Sequence, residues 1–584
     1  MPLLQPEIRA TRRAWDSSGS LDPMVAIVDF RAFVTIINSY VAHEKRSFAA
    51  DVRFASNTRV AESYDVVIAG GGVNGLACGA WLARAGLTVC VVERNPWIGG
   101  GSITREVTLP GFKHDLFGSS HVWIHANADF NRMLPELQRH GLDYLWSTDA
   151  ITGHPDKQGG PGLVIYRSVD KTVAAIARYS PKDAARYRQV YDDFGLIRDG
   201  FIKAFFSPPS PPSLLAQALE GSPQGMLRLR EFSLSARSWV EQNFENDFVR
   251  AVMLNWALAP QILPEQEGAG QSFYIMIPAV HVYGQAIPQG GTQALPNALA
   301  RYIEERGGKV HANAPVERIV TEGGVAAGLT LADGRTLRGR RAVVSALEPK
   351  QTFLKLVGRE ALGANFIDMV ERYSFGKISI CRMHLALNQA PQFNLSQGDD
   401  MNRCAFHRIV DSMPQMIRQY AEIAQGIPPS DPFLWSACWT LLDPSRAPAG
   451  CHTLIFDTYV ANWRADGRSW GDTGVQYAHE VLLPKLQQYA PNIDSRAILG
   501  SYVETSVSLE QANPCFVDGV TTGGERIQAQ LGSFRPFPGY AHYRSPIRNL
   551  YMTGPHCHPG GGISAMGTVT ANVILEDFGI NPTR

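Results

Sequence analysis

"YDVVIAGGGVNGLACGAWLARAGLTVCVVERN", Tyr64 to Asn95, reads as strand, glycine turn, helix, strand and acid without interruption. Val66 to Ala69 is a short apolar strand, and Gly70, Gly72 and Gly75 fill the three glycine places of G-x-G-x-x-G. In such a unit the first glycine permits the tight turn, the second lets backbone approach a pyrophosphate, and the third lets the helix lie close on the strand. Amides at the helix N-terminus then face the anion. "TVCVVE" supplies the second strand, and Glu93 at its end is placed to accept hydrogen bonds from a ribose diol and to repel a 2′-phosphate. The glycine motif alone also occurs in hairpins and loops. Both strands, the helix and the acid make it a dinucleotide fingerprint.

The signal continues beyond Glu93. "ERNPWIGGGSITRE" carries a glycine triplet, Gly99 to Gly101, then Ser102 and Thr104. Small residues there let the chain pass under a second part of a cofactor, and the hydroxyls can bond phosphate, which favours FAD over NAD. At the far end "NLYMTGPHCHPGGGISAMGTVTANVILEDFG" predicts a strand, Leu550 to Thr553, a glycine-rich turn, and a helix from about Ile563. A helix start placed there would stabilise negative charge on a reduced flavin as it does phosphate.

These segments, with "GFKHDLFGSSH", "IPQGGTQALPNALARYIEERGGKV", "APVERIV" and "AVVSALEP", resemble the phytoene desaturase-like flavoproteins. That group includes carotenoid desaturases, desaturase-type ketolases and a pyridine-nucleotide-disulfide-oxidoreductase-domain branch. The resemblance runs from about residue 62 to the end. It implies an α/β fold, with a Rossmann-type FAD domain assembled from separated segments and an interleaved α+β substrate domain. It places Glu93 on the adenosine ribose, Val316 near the adenine, and Gly554 and Gly562 to Ser564 near the isoalloxazine. Two departures stand out: Gly101 replaces an arginine usual in the family, and "GPHCHPG" replaces "GAGTHPG". They bear on the substrate rather than on FAD.

The expected cofactor contacts are therefore Gly70, Gly72, Asn74, Gly75, Glu93, Arg94, Gly100, Gly101, Ser102, Val316, Gly554, Gly562, Ile563 and Ser564. The expected organisation is an N-terminal extension (1–61), FAD segments at 62–130, 285–350 and 537–584, and substrate-domain segments at 131–284 and 351–536.

Composition agrees with an enzyme of this kind. The chain has 584 residues, enough for two or three domains, with 45% hydrophobic and 18% charged residues. Its 54 basic and 54 acidic residues cancel, which gives no electrostatic case for nucleic acid. Eight cysteines form no C-x-x-C, which fits reduced thiols in a cytoplasmic setting.

"MVAIVDFRAFVTIINSYVAHEK", Met24 to Lys45, is apolar on most sides but interrupted by Asp29 and Arg31 and short for a membrane span. It reads as a helix docked on the body of the protein or at the interface of a homo-oligomer; the alternative is peripheral membrane contact. Phe205 to Gly225, "FFSPPSPPSLLAQALEGSPQG", has the proline and serine content of an irregular loop, a candidate lid. "SWVEQNFENDFVRAVMLNWALAP" is helical in period, with Trp239, Phe244, Phe248 and Met253 as a core stripe. "ISICRMHLAL", "LWSACWTLL" and "CHTLIFDTYV" are strands fit to roof a flavin pocket.

Catalytic residues are less marked, because the flavin carries most of the chemistry and the protein need supply only a base. "HDLFGSSHVWIH" offers His114, His121 and His125, and "GPHCHPG" offers His556, Cys557 and His558. His121 and His556 are the catalytic candidates. No third ligand or H-E-x-x-H pattern accompanies His121 and His125, so no metal is expected. The expected activity is removal of hydride from a mainly hydrophobic, isoprenoid-like small molecule, with oxygen or a quinone as acceptor. An amine oxidase and a flavin-binding protein without turnover are the alternatives. No second dinucleotide fold appears: "TEGGVAAGLTLADGRTL" sets its glycines in a hairpin with Asp333-Gly334 at the turn.

Overall fold

Strand β1, Glu62–Ala69, runs straight into the predicted turn, and helix α1, Val73–Arg84, returns over β2, Val89–Val92. The computed structural model describes residues 62–157, 160–393 and 399–581. The extension 1–61, with the helix expected in it, lies outside the described residues.

β1 lies between two parallel partners, β2 on one side and Thr336–Ser345 on the other. Lys309–His311 pairs with β2, also in parallel. The first half of Thr336–Ser345 pairs antiparallel with Val325–Leu331, across the hairpin predicted at Asp333-Gly334, and Val316–Glu322 continues that edge. Its second half accepts Leu550–Met552 in parallel. The first, middle and last parts of the described residues thus share one sheet. Val66 to Ala69 of β1 and all of β2 are buried, as the apolar runs of a parallel sheet covered on both faces require. α1 packs against Gly567–Asp577 on this sheet, where Trp81 Nε1 donates to Asn572 Oδ1 at 2.7 Å.

A second seven-stranded sheet has the order Ile498–Glu504, Ile378–Leu387, His452–Ala461, Leu434–Ala437, Phe406–Ile409, Ala150–His154, Leu163–Tyr166. All its pairings are antiparallel except Phe406–Ile409 with Ala150–His154. It contains the three strands expected as a roof. Helices Ala236–Asn243 and Asp247–Ala257, with Phe244 between them, bury Trp239, Phe244 and Met253 beneath it as expected, while Phe248 is only half-buried against the same core. They are two helices because Asn246 restarts the turn, its Oδ1 accepting from Phe248 and Val249 amides at 3.0 and 3.1 Å.

Two expectations need correction. Phe205 to Gly225 is mostly not irregular: Pro181–Phe205 is one helix, and Pro212–Glu220 and Pro223–Ser233 are two more. Pro212 and Pro223 each begin a helix, where the missing N–H has no bond to lose, and Ser222 caps the second through the Gly225 amide at 3.0 Å. The closing helix begins at Gly567 rather than near Ile563. Ala565 takes φ +54°, which keeps residues 563–565 out of the helix. The Asn127 amide fixes them there, donating to the Ser564 and Ala565 carbonyls and to Thr568 Oγ1 at 3.0 to 3.2 Å.

Candidate active site

The turn after β1 borders a cavity of about 1530 Å³ between the two sheets. Single small-ligand pockets run to about 1,000 Å³. This volume accommodates a dinucleotide together with a second molecule. All fourteen residues expected to contact the cofactor line it.

Each glycine of the fingerprint has its own local reason. Gly70 sits at φ +104°. A Cβ at Gly75 would stand 2.2 Å from the Gly70 carbonyl oxygen, so only glycine lets α1 approach β1 this closely. At Gly72 a Cβ would meet only Gly100 Cα, at 3.8 Å; the remaining space around it belongs to the cavity. α1 has neither a side-chain cap nor an acid in its first turn, which leaves its amides and the positive end of its dipole to an anion. Glu93 is buried, and its carboxylate accepts from the Gly71 and Asn95 amides at 2.9 Å each. Burial raises its pKa against the opposing pull of those amides.

Several buried polar atoms on the cavity wall have no protein partner: Asn74 Oδ1, Ser102 Oγ, Ser564 Oγ and both ring nitrogens of His556. Together with the open space at Gly72, these orphaned atoms on a continuous wall fit FAD.

The roof of the cavity is the second sheet, which contributes Ile380, Arg382, Trp435 and Tyr459. Arg382 is neutralised there by Asp457 at 2.7 Å, with Glu504 at 3.8 Å. Trp123 stacks on Phe205 with ring centroids 5.2 Å apart, and both line the cavity with Phe201 from the same helix as Phe205. Glu93 is the only carboxylate among the described lining residues.

The structure separates the two catalytic candidates. His556 is buried on the cavity wall. Burial, with the nearby Arg535 charge, pushes its pKa down to about 3, so the ring is neutral. His121 is not on the wall. Its Nδ1 meets Tyr144 Oη at 3.0 Å and its Nε2 meets Thr292 Oγ1 at 2.9 Å, which makes it a buried cross-link. His114 bonds Thr108 Oγ1 at 2.8 Å, and His125 packs edge-on against Tyr144. Cys557 is buried off the wall, its thiol pushed up to about 12 by burial.

Sequence reasoning missed Asn127 and Arg535. Arg535 is fully buried without a carboxylate partner among the described residues. It donates to the Pro555, Glu525, Gln530 and Thr522 carbonyls at 2.7 to 3.3 Å and so holds the loop that carries His556. An arginine between Phe534 and Pro536 with no acid beside it was the available signal.

Residues 74–384 match the family model described as flavin containing amine oxidoreductase. A limonene dehydrogenase polypeptide of Castellaniella defragrans is 27% identical over 88% of this chain and 95% of its own. The lycopene-forming phytoene desaturase of Pseudescherichia vulneris is 25% identical over 88% and 99%. The crystal structure of an oxidoreductase from Methanosarcina mazei superposes with TM-score 0.57 at 18% identity, covering 88% of this chain and 99% of that one. The resemblance drawn from the motifs is borne out, as are FAD and the α/β Rossmann-type fold.

Proposed function

The chain belongs to the flavin containing amine oxidoreductase family and is an FAD-dependent oxidoreductase, and from that premise we propose that it removes hydrogen from a mainly apolar small molecule. The observation that carries this reading is the cavity wall: beyond the dinucleotide end it holds Phe201, Phe205, Ile262, Ile380, Trp435 and Tyr459, and no carboxylate among the described residues. A cationic amine would meet no counter-charge there. The relatives named for limonene and phytoene chemistry act on hydrocarbons, which supports the same substrate class.

In this reading the first sheet holds FAD and the second sheet with its helices holds the substrate. The first-turn amides of α1 and Ser102 hold the pyrophosphate, Glu93 the adenosine ribose, Val316 the adenine, and Gly554 with Gly562, Ile563 and Ser564 the ring end. When bound, FAD supplies the two-electron acceptor that no side chain provides. Neutral His556 lies sealed behind the wall and takes up no proton at neutral pH. The aromatic roof and the Pro181–Phe205 helix exclude water. We assign reoxidation to oxygen or a quinone.

Anaerobic mixing with apolar, hydroxyl and amine compounds tests the proposal. Bleaching of the FAD by apolar compounds, and recovery on admitting air or quinone, is the expected result. Bleaching only by amines or by small charged compounds overturns the substrate class. Rapid, saturable bleaching by NADH or NADPH overturns the acceptor assignment.

A further inference from the structure

Three arginines line the cavity: Arg94, Arg382 and Arg526. Arg94 adjoins Glu93 at the fingerprint, and Arg382 is neutralised by Asp457 at 2.7 Å. Arg526 differs from both. Among the described residues no carboxylate lies within ion-pair distance of it, and its Nε is buried without a hydrogen-bond partner. One Nη2 bond to the Gly561 carbonyl at 3.1 Å holds the guanidinium, and Gln266 Nε2 donates to the backbone carbonyl of the same residue. The acid next in sequence, Glu525, is taken by Ser374 Oγ at 2.6 Å.

The other charged and titratable groups facing this corner are Arg535, Tyr373 and Tyr459. Arg535 is spent on backbone carbonyls and adds positive potential. Tyr373 Oη donates to the Gly523 carbonyl and Tyr459 Oη to the Ala259 carbonyl, at 2.8 and 2.7 Å. Burial, then the Arg535 charge, lowers the Arg526 pKa to about 10, which leaves it cationic at neutral pH. A guanidinium turned to a largely apolar cavity without a counter-ion is costly unless the cavity's occupant brings one.

We propose that Arg526 is the anion-binding residue of the substrate site, and that the substrate is an apolar molecule ending in a carboxylate. This rests on the apolar-substrate reading above and narrows it. The guanidinium fork matches a carboxylate, and seating it beside the Gly560–Gly562 loop fixes how far along an apolar chain the reacting carbon lies.

Decanoate and 1-decanol, equal in chain length and different in charge, test this in the FAD-loaded enzyme. Binding is read by quenching of tryptophan fluorescence, with Trp435 and Trp123 on the wall, and by perturbation of the FAD spectrum. Wild type is expected to bind decanoate about 10- to 100-fold more tightly than decanol, the range of a charge-assisted hydrogen-bonded pair. Arg526→Gln is expected to abolish that preference without changing decanol affinity, and Arg526→Lys to retain much of it. Equal binding of the two probes by wild type, or a preference that survives in Arg526→Gln, overturns the proposal; the first comparison needs no variant to fold. Propionate separates the two readings. Arg526-dependent binding of propionate as tight as decanoate sinks the apolar-substrate reading and leaves the anion site. Decanol binding without acid preference sinks the anion site and leaves the apolar reading. No binding of any probe overturns both.

Discussion

The carbonyl oxygen of Gly70 lies where a Cβ on Gly75 would come within 2.2 Å of it. Gly72, three residues earlier, has only Gly100 Cα near its missing Cβ, at 3.8 Å. The two glycines therefore do different work. Gly75→Ala should destabilise the fold by about 1–3 kcal/mol, the usual cost of overpacking, visible as a lower Tm. Gly72→Val should fold normally and lose FAD, because its side chain enters cavity space. Flavin content and thermal unfolding on both variants check this, and normal FAD in Gly72→Val would refute the cofactor placement.

Glu93 is held by two backbone amides and opens on the cavity. Glu93→Gln replaces one acceptor oxygen by a donor that opposes an amide N–H, so FAD affinity should fall about tenfold, the effect of one lost hydrogen bond. Titration of the apoprotein with FAD measures it.

His121 and His556 should separate stability from turnover. His121→Ala strands the Tyr144 and Thr292 hydroxyls and should cost about 1–3 kcal/mol, with flavin reduction per bound FAD unchanged. His556→Gln should keep the fold and slow anaerobic flavin reduction. A slowed reduction in His121→Ala with intact stability would return it to the catalytic set.

Stability should peak near pH 6.5. Burial holds His114, His121 and His384 down to about 3 and His407 to about 4. Their folded pKa values lie below the unfolded value, so the unfolded chain takes up the protons first. The stability from keeping them neutral is present above pH 6.5 and lost as pH falls, at about 1.4 kcal/mol per pH unit for each histidine. Glu504, pushed up from 4.5 to about 8 by burial, works in the opposite sense: its contribution is complete below about pH 4.5 and lost by pH 8, so above pH 6.5 it alone lowers stability. Tm measured across pH 4 to 9 should show the dome, and a flat acid limb would contradict the neutral histidines.

The fingerprint was legible because Gly70 and Gly75 each answer a backbone constraint that no other residue meets, because Gly72 keeps cavity space open, and because Val66 to Ala69 and β2 are apolar runs. The roof strands were legible for the same reason. The helices at Pro212 and Pro223 were not, since proline marks both a loop and a first helical turn, and the deciding Ser222 cap is a single weak signal. Ala565 hid the start of the last helix: its positive φ is imposed by Asn127, which lies far away in sequence. His121 looked catalytic from its neighbours in the chain, whereas its partners Tyr144 and Thr292 arrive from elsewhere.

Trp81 and Asn572, joined by one hydrogen bond, are separated by 491 residues. At about 5–20 residues per second a ribosome takes roughly 25–100 s to cover that distance. For that time the emerging fingerprint lacks the helix Gly567–Asp577, and the face of α1 that this helix covers stays bare. The nucleotide-binding half, whose defining motif is translated early, is consequently the last part of the molecule to close.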